Sequence, residues 1–189
     1  MKMIPLAAAL SLAAFGVQAN EFEPQIRAFL NDNIMNWAND PAIINAIMEQ
    51  NGRNAGLSQA DIDALDVSWR AEVGGSNTPT IDPVLSNPSS DFLREQVAAV
   101  GGAITEVFTM DLHGLNVAAS HTTSDYWQGD EAKFSETYLV GAGAVHISDV
   151  EFDESSQSYQ AQVSITLVDP ATNAPIGAMT VGLNADELF

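Results

Sequence analysis

The hydrophobic period of this chain changes once, near Ile104, and that change restricts the fold more than any other feature. Before it, apolar residues recur mostly at three- and four-residue steps: Ile26, Phe29, Leu30, Ile34 and Trp37, then Ile43, Ile44 and Ile47. That spacing marks one face of a helix. After it, apolar and polar residues alternate. Tyr159, Ala161, Val163, Ile165 and Leu167 fall on one side of a strand, and Gln160, Gln162, Ser164 and Thr166 on the other. Helices followed by strands define an α+β class. The expected architecture is an N-terminal helical layer, residues 20–103, packed on a five-stranded antiparallel sheet formed by residues 104–189.

Local signals place the elements. Asp40-Pro41 interrupts the first helical run, and Pro41 suits the first position of a second helix with Asp40 or Asn39 as its cap. Ser58 to Asp61 resembles a capping box with Asp in place of Glu, opening a helix that carries Ile62, Leu65 and Trp69. Residues 74–90 hold three prolines and many small polar residues and read as a loop. Ser89 or Ser90 is expected to cap the next helix, which ends at Gly101-Gly102. Residues 104–120 read as a hairpin turning at Leu112-His113-Gly114. One irregular strand is expected within 141–152, then two more around a turn from Pro170 to Pro175.

Residues 1–19 combine an early Lys2, an apolar run from Ile4 to Phe15 and the Val17-x-Ala19 pair. This is the pattern of a cleaved secretory signal, so the mature chain is expected to begin at Asn20 and to reside in the periplasm or outside the cell. The run is too short to cross a bilayer, and no direct membrane insertion is expected. Without cysteine there is neither a disulfide nor a thiolate metal site, and the core alone must stabilise the domain. Cleavage removes one of six basic residues against 25 acidic ones, moving the net charge from −19 to −20. Such a surface repels phosphate backbones and excludes nucleic acid as a partner class.

The C-terminal half resembles a known family. The segment FTMDLHGLNVAAS is similar to the first hairpin of Cache domains, the extracellular PAS-like sensor modules of bacterial chemoreceptors and histidine kinases. LVDPATNAPIGAMTVGLNADEL resembles their closing hairpin, and FDESSQSYQAQVSI their long strand. The resemblance covers 104–189, with a long N-terminal helix preceding it. It implies a small-molecule-binding fold with no catalytic apparatus and no cofactor. It also implies that residues 121–138 form one wall of the ligand pocket. Amino-acid-binding members carry an Arg there; this chain has Asp130 and Glu131, then Phe134. Asp153 matches the family's amine-pairing acid.

Read from the residues alone, Tyr126 and Trp127 are an aromatic pair beside Asp125, Asp130 and Glu131. Aromatic faces with nearby carboxylates suit an organic cation. Against this stands a bland reading, in which Trp127 plugs the core and the acids face water. The expected ligand set is Asp125, Tyr126, Trp127, Asp130, Glu131, Tyr138 and Asp153. His113, His121 and His146 stand at no metal-ligating spacing. The acids of 125–131 could supply calcium oxygens, but not in an EF-hand pattern. The sequence therefore points to a sensor-type domain for a small cationic or zwitterionic molecule, signalling through a separate membrane receptor or kinase. Two rival readings are a periplasmic hydrolase using paired carboxylates and an interaction protein with no ligand.

Overall fold

A computed structural model describes residues 22–153 and 158–188. The leader read at 1–19 lies outside these residues, as does the stretch 154–157. The first helix, α1 (Glu23–Phe29), continues as a π-helical turn through Leu30–Ile34. Its buried residues are Ile26, Leu30 and Ile34, as the spacing predicts. Then come α2 (Pro41–Asn54) and α3 (Gln59–Glu72). Pro41 is the first residue of α2, and Asp40 caps it by accepting from the Ala42 N–H at 2.8 Å. Ser58 and Asp61 form the reciprocal capping box that opens α3. The proline-rich loop contains a short helix, α4 (Asp82–Leu85).

The fifth helix, α5 (Pro88–Ala99), corrects one expectation. Its cap is Asn87, which accepts from the Ser90 N–H at 2.9 Å, and not Ser89 or Ser90. Pro88 occupies the first helical turn, where its missing N–H costs nothing. The Ser90 hydroxyl instead bonds the Val84 carbonyl and accepts from the Ala119 N–H, tying α5 to α4 and the sheet.

The strands are β1 (Ile104–Met110), β2 (Asn116–Ala119), β3 (Val145–Ile147), β4 (Glu151–Asp153), β5 (Ser158–Val168) and β6 (Pro175–Asn184). A short helix, α6 (Ala132–Ser135), lies between β2 and β3, and α7 (Ala185–Leu188) follows β6. The sheet order is β2-β1-β6-β5-β3, with β4 also paired to β5, and every pairing is antiparallel. The strand expected in 141–152 is thus two short strands, and the sheet has six strands with five on its continuous path.

The two faces of the sheet build two cores. Val107, Val163, Ile165, Met179, Val181 and Leu183 meet Ile26, Leu30, Ile34, Ile43, Ile47 and Leu93 of the N-terminal helices. Phe108, Met110 and Ala178 belong to a second core with Ile62, Trp69, Val84, Tyr126 and Phe134. The alternation of Val107 with Phe108, and of Ala178 with Met179, puts these cores on opposite faces. Gly177 in β6 lies where a Cβ would overlap the Met110 carbonyl oxygen, so the Ile-Gly-Ala signature records a close approach of β1 and β6.

Candidate functional site

On the second face, the strand residues form continuous rows across the sheet. Glu106 pairs with Gly182 and Gly182 with Gln162; Phe108 pairs with Thr180 and Thr180 with Ser164. The polar set that alternation predicted on β5 therefore lies on the same side as Glu106 and Phe108. Across from it runs the segment between β2 and α6. Between them is a cavity of about 640 Å³, lined by Glu106, Phe108, Asp125, Gln128, Glu131, Lys133 and Gln162 among others. Its size is in the range of small-molecule sites.

The wall segment is fixed by α3. Asp66, buried at the start of the helix's second half, accepts from the backbone N–H groups of Tyr126 at 2.9 Å and Trp127 at 3.1 Å. Its other oxygen is 2.6 Å from Arg70. One turn on, Trp69 donates its indole N–H to the Thr123 carbonyl at 2.9 Å. These two residues, three apart on one helix face, clamp 123–127 from outside the cavity. Asn116 holds the same segment from β2, donating to the Asp125 carbonyl at 3.0 Å and the Thr123 hydroxyl at 2.8 Å.

Four charges face the cavity. Lys133 is mostly buried; its ammonium is 3.0 Å from Glu131, 3.2 Å from the Gln128 side-chain oxygen and 5.4 Å from the centre of the Phe108 ring. Asp125 accepts from Gln128 at 2.8 Å and from Ser124 at 2.8 Å. Glu106 accepts from Gln162 at 3.2 Å. Three carboxylates and one ammonium line the cavity wall, and Arg70, outside that lining, comes within 3.9 Å of Asp125.

Of the residues read from the sequence, Asp125 and Glu131 line this cavity. Tyr126 and Trp127 do not. Tyr126 turns the other way and stacks on Trp69 with ring centroids 5.0 Å apart and planes 4° apart. Trp127 donates its indole N–H to the His113 carbonyl at 2.9 Å and packs over Gly129. Asp130 is exposed. Tyr138 is half-buried and stacks on Phe134 at 5.0 Å, and it does not line this cavity. Asp153 ends β4, and its side chain lies outside what the structure describes. Burial, reinforced by the Asp111 carboxylate, pushes the Tyr126 phenol up to about 12 and raises Tyr138 as well.

Sequence reasoning missed Lys133, Glu106 and Gln162. Lys133 immediately precedes Phe134, and a lone cation in an acidic stretch was the signal. Glu106 and Gln162 were visible only as polar positions of alternating strands. No group of three or more metal-ligating side chains comes together among the described residues.

No protein family matches the chain, and no curated protein sequence matches it. Among solved structures it is similar to the sensor domain of the V. cholerae histidine kinase DctB, with a TM-score of 0.50 at 13% identity over 88% of this chain and 53% of that one. Two others are the ligand-binding domain of the Campylobacter jejuni chemoreceptor Tlp3 in complex with 4-methylisoleucine and that of the Pseudomonas aeruginosa amino acid chemoreceptor PctC in complex with GABA. The first has a TM-score of 0.43 at 11% identity over 87% of this chain and 62% of that one. The second has a TM-score of 0.43 at 10% identity over 81% of this chain and 62% of that one. The chain spans about half to three-fifths of the length of these domains. The fold is that of Cache-type sensor domains.

Proposed function

We propose that this chain is an exported sensor-type domain that binds a small zwitterionic or cationic organic molecule in the cavity between the sheet and 122–133. It reports occupancy to a separate membrane receptor or kinase. The observation that supports this reading best is the charge pattern around the cavity: Lys133 at one end of an otherwise acidic wall formed by Glu106, Asp125 and Glu131. A ligand ammonium pairs with Glu106 and Asp125, and a ligand carboxylate, where present, takes Lys133 from Glu131. The Phe108 face, already next to one ammonium, suits a second cationic group. Sensor domains of the same fold sit on kinases and chemoreceptors, which supports a signalling role and not a catalytic one.

Calorimetry with three forms of one amino acid tests this. The free amino acid and its methyl ester both keep the amine, and the N-acetyl form keeps only the carboxylate. The first two should bind and the third should not. Glu106→Gln should weaken binding by about ten- to a hundredfold, the value of one charge-assisted hydrogen bond of ~1.5–3 kcal/mol. Equal binding of the N-acetyl form would overturn the charge assignment.

A further inference from the structure

A second and larger cavity, about 750 Å³, lies on the other side of the 123–128 segment, between α2, the 79–89 loop with α4, and the end of the hairpin. Asp125 and Tyr126 are neighbours in sequence but face the two cavities separately. The second cavity is not used by the proposed sensing of a charged ligand, and its chemistry differs.

Its apolar part is supplied by Leu65, Val84 and Val117. At one end stand two residues each more than nine-tenths buried, Gln50 and Tyr126. Gln50 spends its amide N–H on Asp111 and on the Asn116 carbonyl, both at 3.1 Å. Its side-chain oxygen has no hydrogen-bond partner among the described residues and is not sealed off from the cavity. The Tyr126 hydroxyl likewise has no protein partner among the described residues. Both groups open onto the cavity, so a ligand that offers one donor and one acceptor satisfies both.

The rim charges offset each other. Arg53 and Glu49, both lining the rim, pair at 2.7 Å. Behind them Asp111 is fully buried and held by Gln50 and Asn54. Asp111 acts on the Tyr126 phenol against ionisation, with Arg53 opposing it. An anion at the phenol would meet the Asp111 field; a cation would have to break the Arg53–Glu49 pair or remain unpaired.

We propose that this cavity is a second binding site, for an uncharged amphiphile with a flat or branched apolar body and one adjacent donor–acceptor pair, such as a primary amide. The ligand's carbonyl accepts from the Tyr126 hydroxyl, and its N–H donates to the Gln50 side-chain oxygen. This does not depend on the charged site across the segment.

Three isosteric probes separate the possibilities: benzamide (neutral), benzoate (anionic) and benzamidinium (cationic), titrated into the uniformly ¹⁵N-labelled chain. Benzamide should give saturable amide shifts at Ala46, Gln50, Leu65, Val117 and Tyr126. The two ions should bind at least about tenfold more weakly. Tyr126→Phe should lower benzamide affinity by up to about tenfold, the value of one neutral hydrogen bond. Ala46→Trp fills the cavity and should abolish the shifts; Asn45→Trp does so from an exposed rim position that folding does not require. Glu106→Gln should leave benzamide binding unchanged. Ion binding as tight as benzamide, shifts that survive Asn45→Trp, shifts centred on Gln128 and Lys133, or no saturable shift up to the solubility limit would each overturn the proposal.

Discussion

Asp111 is fully buried at the turn between β1 and β2, and four donors converge on it. The backbone N–H groups of His113 and Leu115 reach one oxygen at 2.9 and 3.0 Å; Gln50 and Asn54 reach the other at 3.1 and 2.7 Å. The turn is thereby tied to α2. Asp111→Ala leaves these donors without an acceptor and should cost about 3 kcal/mol or more, read as a lower urea midpoint. Tyr126 offers a pH test. Its phenol is raised to about 12 in the fold from an ordinary 10.0. A group raised on folding contributes stability that is intact below the unfolded value and is lost as pH climbs through the folded one. Stability should therefore fall between pH 10 and 12, by about 1.4 kcal/mol per unit from this residue. Tyr126→Phe should flatten that decline, leaving the smaller slope of Tyr138; an unchanged slope would contradict the burial argument. At this scale the sequence singled out a segment but could not orient it. Successive side chains of an extended stretch point to opposite sides, and nothing in Asp125-Tyr126-Trp127 says which side is the sheet. The orientation comes from Asp66 and Trp69, some 60 residues away in the chain.

Elements were more legible than side-chain directions. Alternation in 159–167 sorted the residues of β5 correctly: Ala161, Val163, Ile165 and Leu167 enter the helix-facing core and Ser164 the other face. The starts of α2 and α3 were readable because Pro41, Asp40, Ser58 and Asp61 act within one turn of their own chain. The start of α5 was misread because several polar residues compete there, and tertiary contacts decided among them. Asn87 won since its amide N–H also reaches the Pro83, Val84 and Val117 carbonyls at 2.9–3.0 Å. Asn87→Ala should therefore cost more than the ~1 kcal/mol of an ordinary cap. Ser89→Ala should be close to neutral, because the buried Ser89 hydroxyl has no partner among the described residues. Thermal denaturation of the two variants distinguishes them. Gly177→Ala should cost about 1–3 kcal/mol by forcing β6 away from the Met110 carbonyl. The short strands β3 and β4 were read as one irregular strand because three-residue pairings leave little periodic trace.

On the scale of the whole molecule, helices and sheet form two cores, and the second is interrupted by the two cavities that flank 123–128. No helix among the described residues is long and apolar enough to cross a membrane. The family resemblance in 104–189 was legible because the hairpin turns and the Ile-Gly-Ala tripeptide are contiguous in sequence; the cavities were not, because each is assembled from segments far apart in sequence. The central claim is that the sheet-side cavity takes the amine-bearing ligand. Amide-shift mapping of the bound free amino acid on the ¹⁵N-labelled chain tests it most directly. The account predicts saturable shifts at Glu106, Phe108, Asp125, Gln128, Lys133 and Gln162, lost with the N-acetyl form. Shifts confined to Gln50, Leu65 and Val117, or equal shifts from the N-acetyl form, would contradict it.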